Sequence, residues 1–88
     1  MKLKIRYTER FEKHYKKLSA AEKSQFHKKI AVFVENPRHP SLRSKPIRGS
    51  NGLFEFSVNM DIRVIWIYEG DLLVALIDIG HHNILGNL

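Results

Sequence analysis

The sequence predicts an α+β domain in which a helical hairpin packs on one face of an antiparallel-rich, four-stranded sheet. Three observations favour this class: the first residues alternate in polarity, two stretches with helical apolar spacing follow, and three strand-like stretches occupy the second half. The predicted element order is β-α-α-β-β-β. We expect residues 1–88 to form a single domain with a core of modest size.

The first strand and the first helix are predicted from short local patterns. Residues 2–6 alternate between polar and apolar side chains, as a half-buried strand does. Thr8 is placed to cap a helix over roughly residues 9–18. The apolar stripe of this helix is Phe11, Tyr15 and Leu18.

The second helix has clear signals at both ends. Ser19 and Glu22 have the spacing of a capping box. The helix ends at Asn36, because a residue that precedes proline is disfavoured in the α conformation. Its apolar stripe is Phe26, Ile30, Phe33 and Val34. The linker from Pro37 to Asn51 holds all three prolines, and we expect turns to order it.

Three strands are predicted in the second half, at about residues 53–58, 62–69 and 72–79. A turn at Gly70 joins the last two. Between the first two, a three-residue loop at 59–61 buries the aromatic side chains of the first strand, whereas a loop one residue shorter exposes them. Burial is more favourable, so we predict the longer loop, which places Glu55 and Ser57 beside Arg63.

Alternation assigns the faces of the last strand. It places Val74, Leu76 and Asp78 on the face of Arg63, and in one register Asp78 lies directly across from Arg63. The other face is entirely apolar and is expected to meet the helices. Its residues are Leu73, Ala75, Ile77 and Ile79.

Arg63 stands out because it interrupts an otherwise apolar strand. It is the only Lys or Arg after Arg48. A guanidinium in such a strand is unfavourable unless a negative group meets it. That group is either a carboxylate of the chain, which makes Arg63 structural, or a substrate phosphate, which makes it functional.

Charge divides the chain into a basic and an acidic half. Residues 1–50 hold fourteen Lys and Arg against four acids, and residues 51–88 hold one Arg against five acids. The net charge of +6 favours polyanionic partners such as nucleic acid, a ribosome or an acidic protein. Lys13, Lys16 and Lys17 form either a binding surface or a merely solvated one.

Other classes of function find no support in the sequence. It has no apolar run long enough to span a membrane and no signal-peptide pattern, so no membrane partner is expected. The absence of cysteine fits a cytoplasmic protein. We find neither a glycine-rich phosphate loop nor a serine or cysteine nucleophile motif. No spacing of ligands predicts a metal or another cofactor.

The remaining candidates suit cleavage of RNA without a metal ion. This reaction needs a base for the 2′-hydroxyl, a cation for the phosphoryl oxygens and an acid for the leaving 5′-oxygen. Arg63 has the planar fork for phosphate, and a histidine is the natural proton carrier near neutral pH. The full candidate set is Arg63, Glu55, Asp61, Asp78, His81 and His82, supported by Lys45 and Arg48.

In the order and spacing of several short motifs, the chain resembles the RelE/ParE toxin superfamily of toxin–antitoxin pairs. The motifs are Phe11 to Leu18, Asn36-Pro37, Lys45 to Gly49, Arg63 to Trp66 and Asp78 to His82. The resemblance implies a RelE-like fold and a ribosome-dependent mRNA endonuclease held inactive by a cognate antitoxin. It leaves open a ParE-like gyrase inhibitor, and a decayed toxin that acts only in a repressor complex with its antitoxin.

The resemblance also implies roles for individual residues. Arg63 matches the arginine that contacts the scissile phosphate, and His82 matches the catalytic histidine of the YafQ-like branch. Asp61 and Lys45 fall where that branch has a functional aspartate and a functional histidine. Glu55 is the alternative base, and His81 the alternative proton carrier. No aromatic residue follows His82, although many members carry one there.

Overall fold

Two helices and five strands form the fold in the computed structural model, which describes residues 2–81. In chain order they are β1 (Lys4–Tyr7), α1 (Glu9–Tyr15), α2 (Ala20–Glu35), β2 (Lys45–Pro46), β3 (Phe54–Ser57), β4 (Ile62–Tyr68) and β5 (Leu73–His81). A 3₁₀ turn, Pro40–Leu42, precedes β2. The predicted α+β architecture, with two helices and an antiparallel-rich sheet, is confirmed. Within residues 2–81, neither helix is long and apolar enough to cross a bilayer.

Both helices begin where their caps predict. The Thr8 hydroxyl accepts a hydrogen bond from the Phe11 amide at 3.1 Å, and Ser19 and Glu22 form the predicted capping box. Helix α1 ends at Tyr15, three residues before the predicted end. The reason is that the amides of Lys17 and Leu18 bond three residues back, to the carbonyl oxygens of His14 and Tyr15, which tightens the last turn. Leu18 is nevertheless buried, as the stripe predicts.

The sheet has the strand order β1-β5-β4-β3-β2, with β1 and β5 parallel and the other neighbours antiparallel. The predicted count of four strands is one too few. The additional strand, β2, lies in the linker and pairs Lys45 with Glu55 and Pro46 with Phe54. Proline is tolerated there because β2 is an edge strand. Two residues are too few to show an alternating pattern.

The core lies between α2 and the middle of the sheet. The Phe33 ring lies 4.8 Å from the Phe56 ring and 4.9 Å from the Trp66 ring, centroid to centroid. Phe26 is equally buried, which confirms the stripe of α2. Because side chains alternate along a strand, the neighbours of Phe56 in β3 point to the face opposite α2. Glu55 and Ser57 therefore lie on the face that the three-residue loop predicts.

The predicted faces of β5 are wrong over its first half. Val74 and Leu76 lie in the core with the helices, whereas they were expected on the face of Arg63. The cause is a β-bulge: Trp66 pairs with Leu76 and Ile65 with Asp78, so Ile77 is left over between the two pairs. An extra residue inverts the alternation. Beyond the bulge, Ile79 is in the core as predicted.

Asp78, on β5, bonds to side chains of α1 rather than to Arg63. Its side chain is only 1% exposed, and its carboxylate lies 2.9 Å from Arg10 Nε and 2.5 Å from His14 Nδ1. It also accepts a hydrogen bond from the Ile79 amide. The register pairs Arg63 with Gly80 instead. The prediction that Asp78 lies across from Arg63 is therefore wrong, and Asp78 fastens α1 to the sheet.

Candidate anion-binding site

Arg63 is held in place by the β3–β4 loop. Its Nη1 donates hydrogen bonds to the carbonyl oxygens of Asn59 at 2.8 Å and Ile62 at 3.3 Å. Asn59 in turn accepts hydrogen bonds from the amides of Asp61 and Ile62, which sets the shape of the loop. The side chain is 17% exposed. Within residues 2–81, the Nη2 group of Arg63 has no hydrogen bond, so part of the guanidinium fork is open to an acceptor.

Glu55 is the carboxylate that faces Arg63. It lies on β3, and its side chain is only 5% exposed. Its Oε1 lies 3.9 Å from Arg63 Nε and 3.9 Å from Lys45 Nζ. These distances exceed those of hydrogen bonds, so the two cations compensate Glu55 without saturating its oxygens. The predicted position of Glu55 beside Arg63 is confirmed.

A groove of about 230 Å³ brings these groups together. Its lining residues come from the linker and from β2, β3 and β4, and they are Arg43, Lys45, Glu55, Ser57 and Arg63. Three cations and one buried carboxylate therefore line the same groove. Such a groove favours an anion, and it supplies one group that can accept a proton.

Arg48 lies beside the groove rather than within it. It lines a neighbouring depression of about 450 Å³ that shares Lys45 and Glu55 with the groove. Lys45 thus connects the two concave surfaces. Among residues 2–81, no group of three or more histidine, cysteine or carboxylate side chains is arranged to hold a metal ion.

Of the two candidate histidines, only His81 lies within the described residues. His81 ends β5, pairs with Ile62 in the ladder, and contacts the Asp61 carboxylate through its Nδ1. Because directly paired residues point to the same face and Ile62 is buried in the core, His81 leaves the sheet on the face opposite Arg63. Asp61, which falls where the resemblance implies a functional aspartate, therefore contacts His81. His82 lies outside the described residues.

Lys13, Lys16 and Lys17 are exposed on α1 and just beyond its end. None of them lines the groove at Arg63. Among residues 2–81, no acid lies within salt-bridge distance of any of the three. They form an uncompensated basic surface, which we call the α1 lysine surface.

The acidic groups of Glu69 and Tyr7, whose pKa values are shifted, lie away from the groove. Hydrogen bonds from Arg6 hold the pKa of the Glu69 carboxyl below its ordinary value and tie β1 to the β4–β5 turn. Burial, with a smaller contribution from Tyr15, raises the pKa of the Tyr7 hydroxyl. Both residues lie on the β1 side of the sheet, so neither shifted pKa affects the electrostatics of the groove at Arg63.

Sequence reasoning missed Arg43. It is one basic residue among several in the linker, and no periodicity distinguishes it. Its place in the linker could have indicated it. Because β2 pairs with β3 beside Glu55, the linker residues just before β2 lie at the same edge of the sheet. That signal depends on β2, which was not predicted.

A family model and several solved structures are similar to this chain. The family model described as "ParE toxin of type II toxin-antitoxin system, parDE" matches residues 5–85. The fold is similar to that of the archaeal RelE–RelB complex from Pyrococcus horikoshii OT3, with TM-score 0.73, 15% identity and coverage of 92% of this chain and 96% of that chain. Comparison with curated protein sequences finds no match.

Two bacterial structures are similar to the same degree. The toxin of the E. coli DinJ–YafQ toxin–antitoxin complex gives TM-score 0.74 at 20% identity, covering 97% of this chain and 98% of that chain. A YoeB/ParE toxin from Agrobacterium tumefaciens gives TM-score 0.77 at 15% identity, covering 91% and 99%. At such identities the likeness concerns the fold alone.

Proposed function

The chain belongs to the ParE toxin family of type II toxin–antitoxin systems, and we propose that it is a ribosome-dependent endonuclease that cuts mRNA without a metal ion. The observation that carries this proposal is the groove in which Arg63 faces the buried Glu55. Arg63 offers an open guanidinium edge, and Glu55 offers oxygens that are not saturated by hydrogen bonds. The proposal places the protein in the cytoplasm, where ribosomes are.

The chain's own side chains can supply the steps of the reaction. Glu55 accepts the proton of the 2′-hydroxyl, and the 2′-oxygen attacks the adjacent phosphorus. Arg63, with Lys45 beside it, stabilises the charge on the non-bridging oxygens. The bond from phosphorus to the 5′-oxygen breaks, and His82 donates a proton to that oxygen. The products are a 2′,3′-cyclic phosphate and a 5′-hydroxyl. Arg48 is proposed to contact a neighbouring part of the RNA.

The proposed protein partner is a cognate antitoxin. In the similar structures, RelE is found with RelB and YafQ with DinJ. A first half with ten more cations than acids suits an acidic segment. An antitoxin that covers the groove or the α1 lysine surface would compete with RNA.

We expect the α1 lysine surface to bind ribosomal RNA. Replacing Lys13, Lys16 and Lys17 by alanine removes three uncompensated cations from one short segment. Each lost phosphate contact lowers the log–log salt slope of binding by about 0.7–0.9, so the triple variant should lose about 2–3 units of slope. The measurement is cosedimentation with ribosomes across a salt series.

The matched control for this triple variant replaces Lys2, Lys4 and Lys28. It makes the same change in net charge on other exposed positions. If both triple variants lose the same slope, the effect belongs to net charge. An unchanged slope in the Lys13, Lys16 and Lys17 variant shows a merely solvated surface.

We expect His82 to be the proton donor, and His81 to matter less. His81→Gln removes a contact to Asp61 on the face opposite Arg63, whereas His82 is predicted by alternation and by family resemblance to act at the phosphate. His82→Gln should slow message cleavage about 10²-fold, and His81→Gln only a few-fold. The measurement is single-turnover cleavage on programmed ribosomes, with folding checked by circular dichroism. Inactive His81→Gln beside fully active His82→Gln would reverse the assignment.

Inhibition of DNA gyrase is the second candidate function, because the matching family model is that of ParE toxins. Mapping of message ends after induction separates the two candidates. New 5′-hydroxyl ends within reading frames support the nuclease, and inhibited supercoiling without such ends supports the gyrase inhibitor. If the chain shows neither activity but still binds its antitoxin, the result supports the third alternative, a decayed toxin that acts only in a repressor complex.

A further inference from the structure

The groove at Arg63 continues along the sheet. A second depression of about 330 Å³ adjoins it and shares Arg43 and Ser57 with it. Its lining residues are Lys29, Ser41, Arg43, Ser57, Val58, Asn59 and Met60. None of these lining residues is acidic. We call this second depression the extension. It leads from Arg63 past Arg43 to the tip of the β3–β4 loop.

Arg43 stands at the junction of the two depressions in an unfavourable backbone conformation. Its φ of 53° and ψ of 40° lie in the left-handed region, and it is the one non-glycine residue with positive φ between residues 2 and 81. Glycine or asparagine adopts this conformation at lower cost. Within the same described range, the Arg43 guanidinium has no hydrogen bond or salt bridge. The fold therefore presents an unpaired cation from a strained residue, which is a pattern typical of functional positions.

Two further side chains make the extension fit a nucleotide. Lys29 reaches the same depression from α2 and donates to the Ser41 carbonyl oxygen at 3.2 Å, which leaves its charge uncompensated. Met60 is 83% exposed at the loop tip. A methionine side chain is flexible and polarizable, so it can contact the face of a base. Asn59 holds the loop beneath it through its bonds to Asp61 and Ile62.

We propose that the extension is a subsite for the nucleotide next to the cleaved linkage. Arg43 and Lys29 bind its phosphate, and Met60 packs against its base. This inference rests on the proposed function, because it takes the linkage at Arg63 as the one that is cut. Single-stranded RNA is the favoured occupant, since the extension is continuous with the groove at Arg63, is lined by two cations, and ends in an exposed apolar side chain.

The first test removes one phosphate charge at a time from the message. Messages carry a single uncharged methylphosphonate at the linkage on either side of the cleaved one. For one of the two sides, wild-type cleavage should slow about tenfold or more, the size expected for losing a charged hydrogen bond. Arg43→Gly should slow the unmodified message by a similar factor and show no further loss with the methylphosphonate. This non-additivity identifies the contact.

Three controls separate the subsite from other effects. Arg38→Gly removes a cation from the same linker but outside the extension, and it should keep wild-type sensitivity to the methylphosphonate. Arg43→Lys should retain part of the wild-type behaviour. Because glycine relieves the strain at φ 53°, Arg43→Gly should melt at or above the wild-type temperature. A variant that is stable yet slow excludes unfolding as the cause. Full wild-type sensitivity in Arg43→Gly would overturn the proposal.

The second test needs no ribosome and no cleavage. The chain has two methionines, so ¹³C-methyl labelling gives signals for Met1 and Met60 only. A 2′-O-methyl RNA trinucleotide cannot be cut, and it should shift the Met60 signal in the wild-type protein but not in Arg43→Gly. If wild type cuts no message, the proposed function fails while this titration still decides the subsite. A Met60 signal that stays fixed with RNA but moves with an acidic peptide assigns the extension to a protein partner and overturns the proposal.

Discussion

Arg63→Ala is expected to abolish toxicity and to lower the rate of message cleavage by about 10²–10³ while the fold persists. The open Nη2 edge of Arg63 faces a groove that Lys45 also lines. The alanine substitution removes the planar guanidinium that would donate hydrogen bonds to the phosphate. The fold should lose about 1–2 kcal/mol, because the hydrogen bond to the Asn59 carbonyl oxygen disappears and Glu55 keeps only Lys45 beside it. The measurements are single-turnover cleavage on programmed ribosomes and thermal melting of the purified chain.

Arg63→Lys is the matched control for this prediction. It keeps the positive charge beside Glu55 but loses the fork, so it should melt near the wild-type temperature and still cut poorly. If Arg63→Ala unfolds and Arg63→Lys restores both stability and cleavage, Arg63 serves the sheet through its charge alone. In that case the phosphate role of Arg63 is wrong.

The parts of this fold that could be predicted are those set by short-range patterns. The two helix caps depend on Thr8, Ser19 and Glu22, each within three residues of its partner. The loop at 59–61 follows from the large gain of burying Phe56. These signals lie in contiguous sequence, and no other part of the chain competes with them. They also placed Glu55 beside Arg63, which was the main geometric prediction for the site.

The parts that could not be predicted depend on contacts between distant segments. The bulge at Ile77 changes which side chains of β5 meet the helices, and strict alternation does not reveal an extra residue. Asp78 bonds to Arg10 and His14, which lie more than sixty positions earlier in the chain. A buried carboxylate of this kind can be satisfied by any nearby cation. Arg63 was the nearest in sequence, whereas α1 is the nearest in space.

The same distinction applies within the site. Glu55, Ser57 and Arg63 were placed correctly because side chains alternate without interruption along β3 and the paired part of β4. Arg43 was missed because its position follows from a two-residue strand and a left-handed backbone conformation, neither of which has a sequence signature here. His81 and Asp61 meet across the end of β4 and β5, where pairing register and loop shape together determine the contact.

Glu55→Gln is expected to lower the cleavage rate constant by about 10³ without weakening substrate binding. The amide has the shape of the carboxylate but cannot take the proton of the 2′-hydroxyl. Because Arg63 and Lys45 lose a negative neighbour at 3.9 Å, they should bind phosphate at least as well as before. The expected result is therefore a lower kcat with an unchanged or lower KM. If Glu55 only holds Arg63 in position, KM should rise instead.

A message with sulfur in place of the leaving 5′-oxygen tests the direction of proton transfer at Glu55. A thiolate leaves without being protonated, so this message no longer needs a general acid but still needs a base for the 2′-hydroxyl. Glu55→Gln should remain slow on it, whereas His82→Gln should recover most of the wild-type rate. A 2′-deoxy nucleotide at the cleaved position should abolish cleavage by every variant.

Two outcomes would contradict the role of Glu55 as the base. If Glu55→Gln recovers on the sulfur-containing message, Glu55 is the acid. If Glu55→Gln cuts the natural message at the wild-type rate, Glu55 has no part in the mechanism. If Glu55 is the base, replacing the 5′-oxygen by sulfur must restore cleavage by His82→Gln and leave cleavage by Glu55→Gln slow.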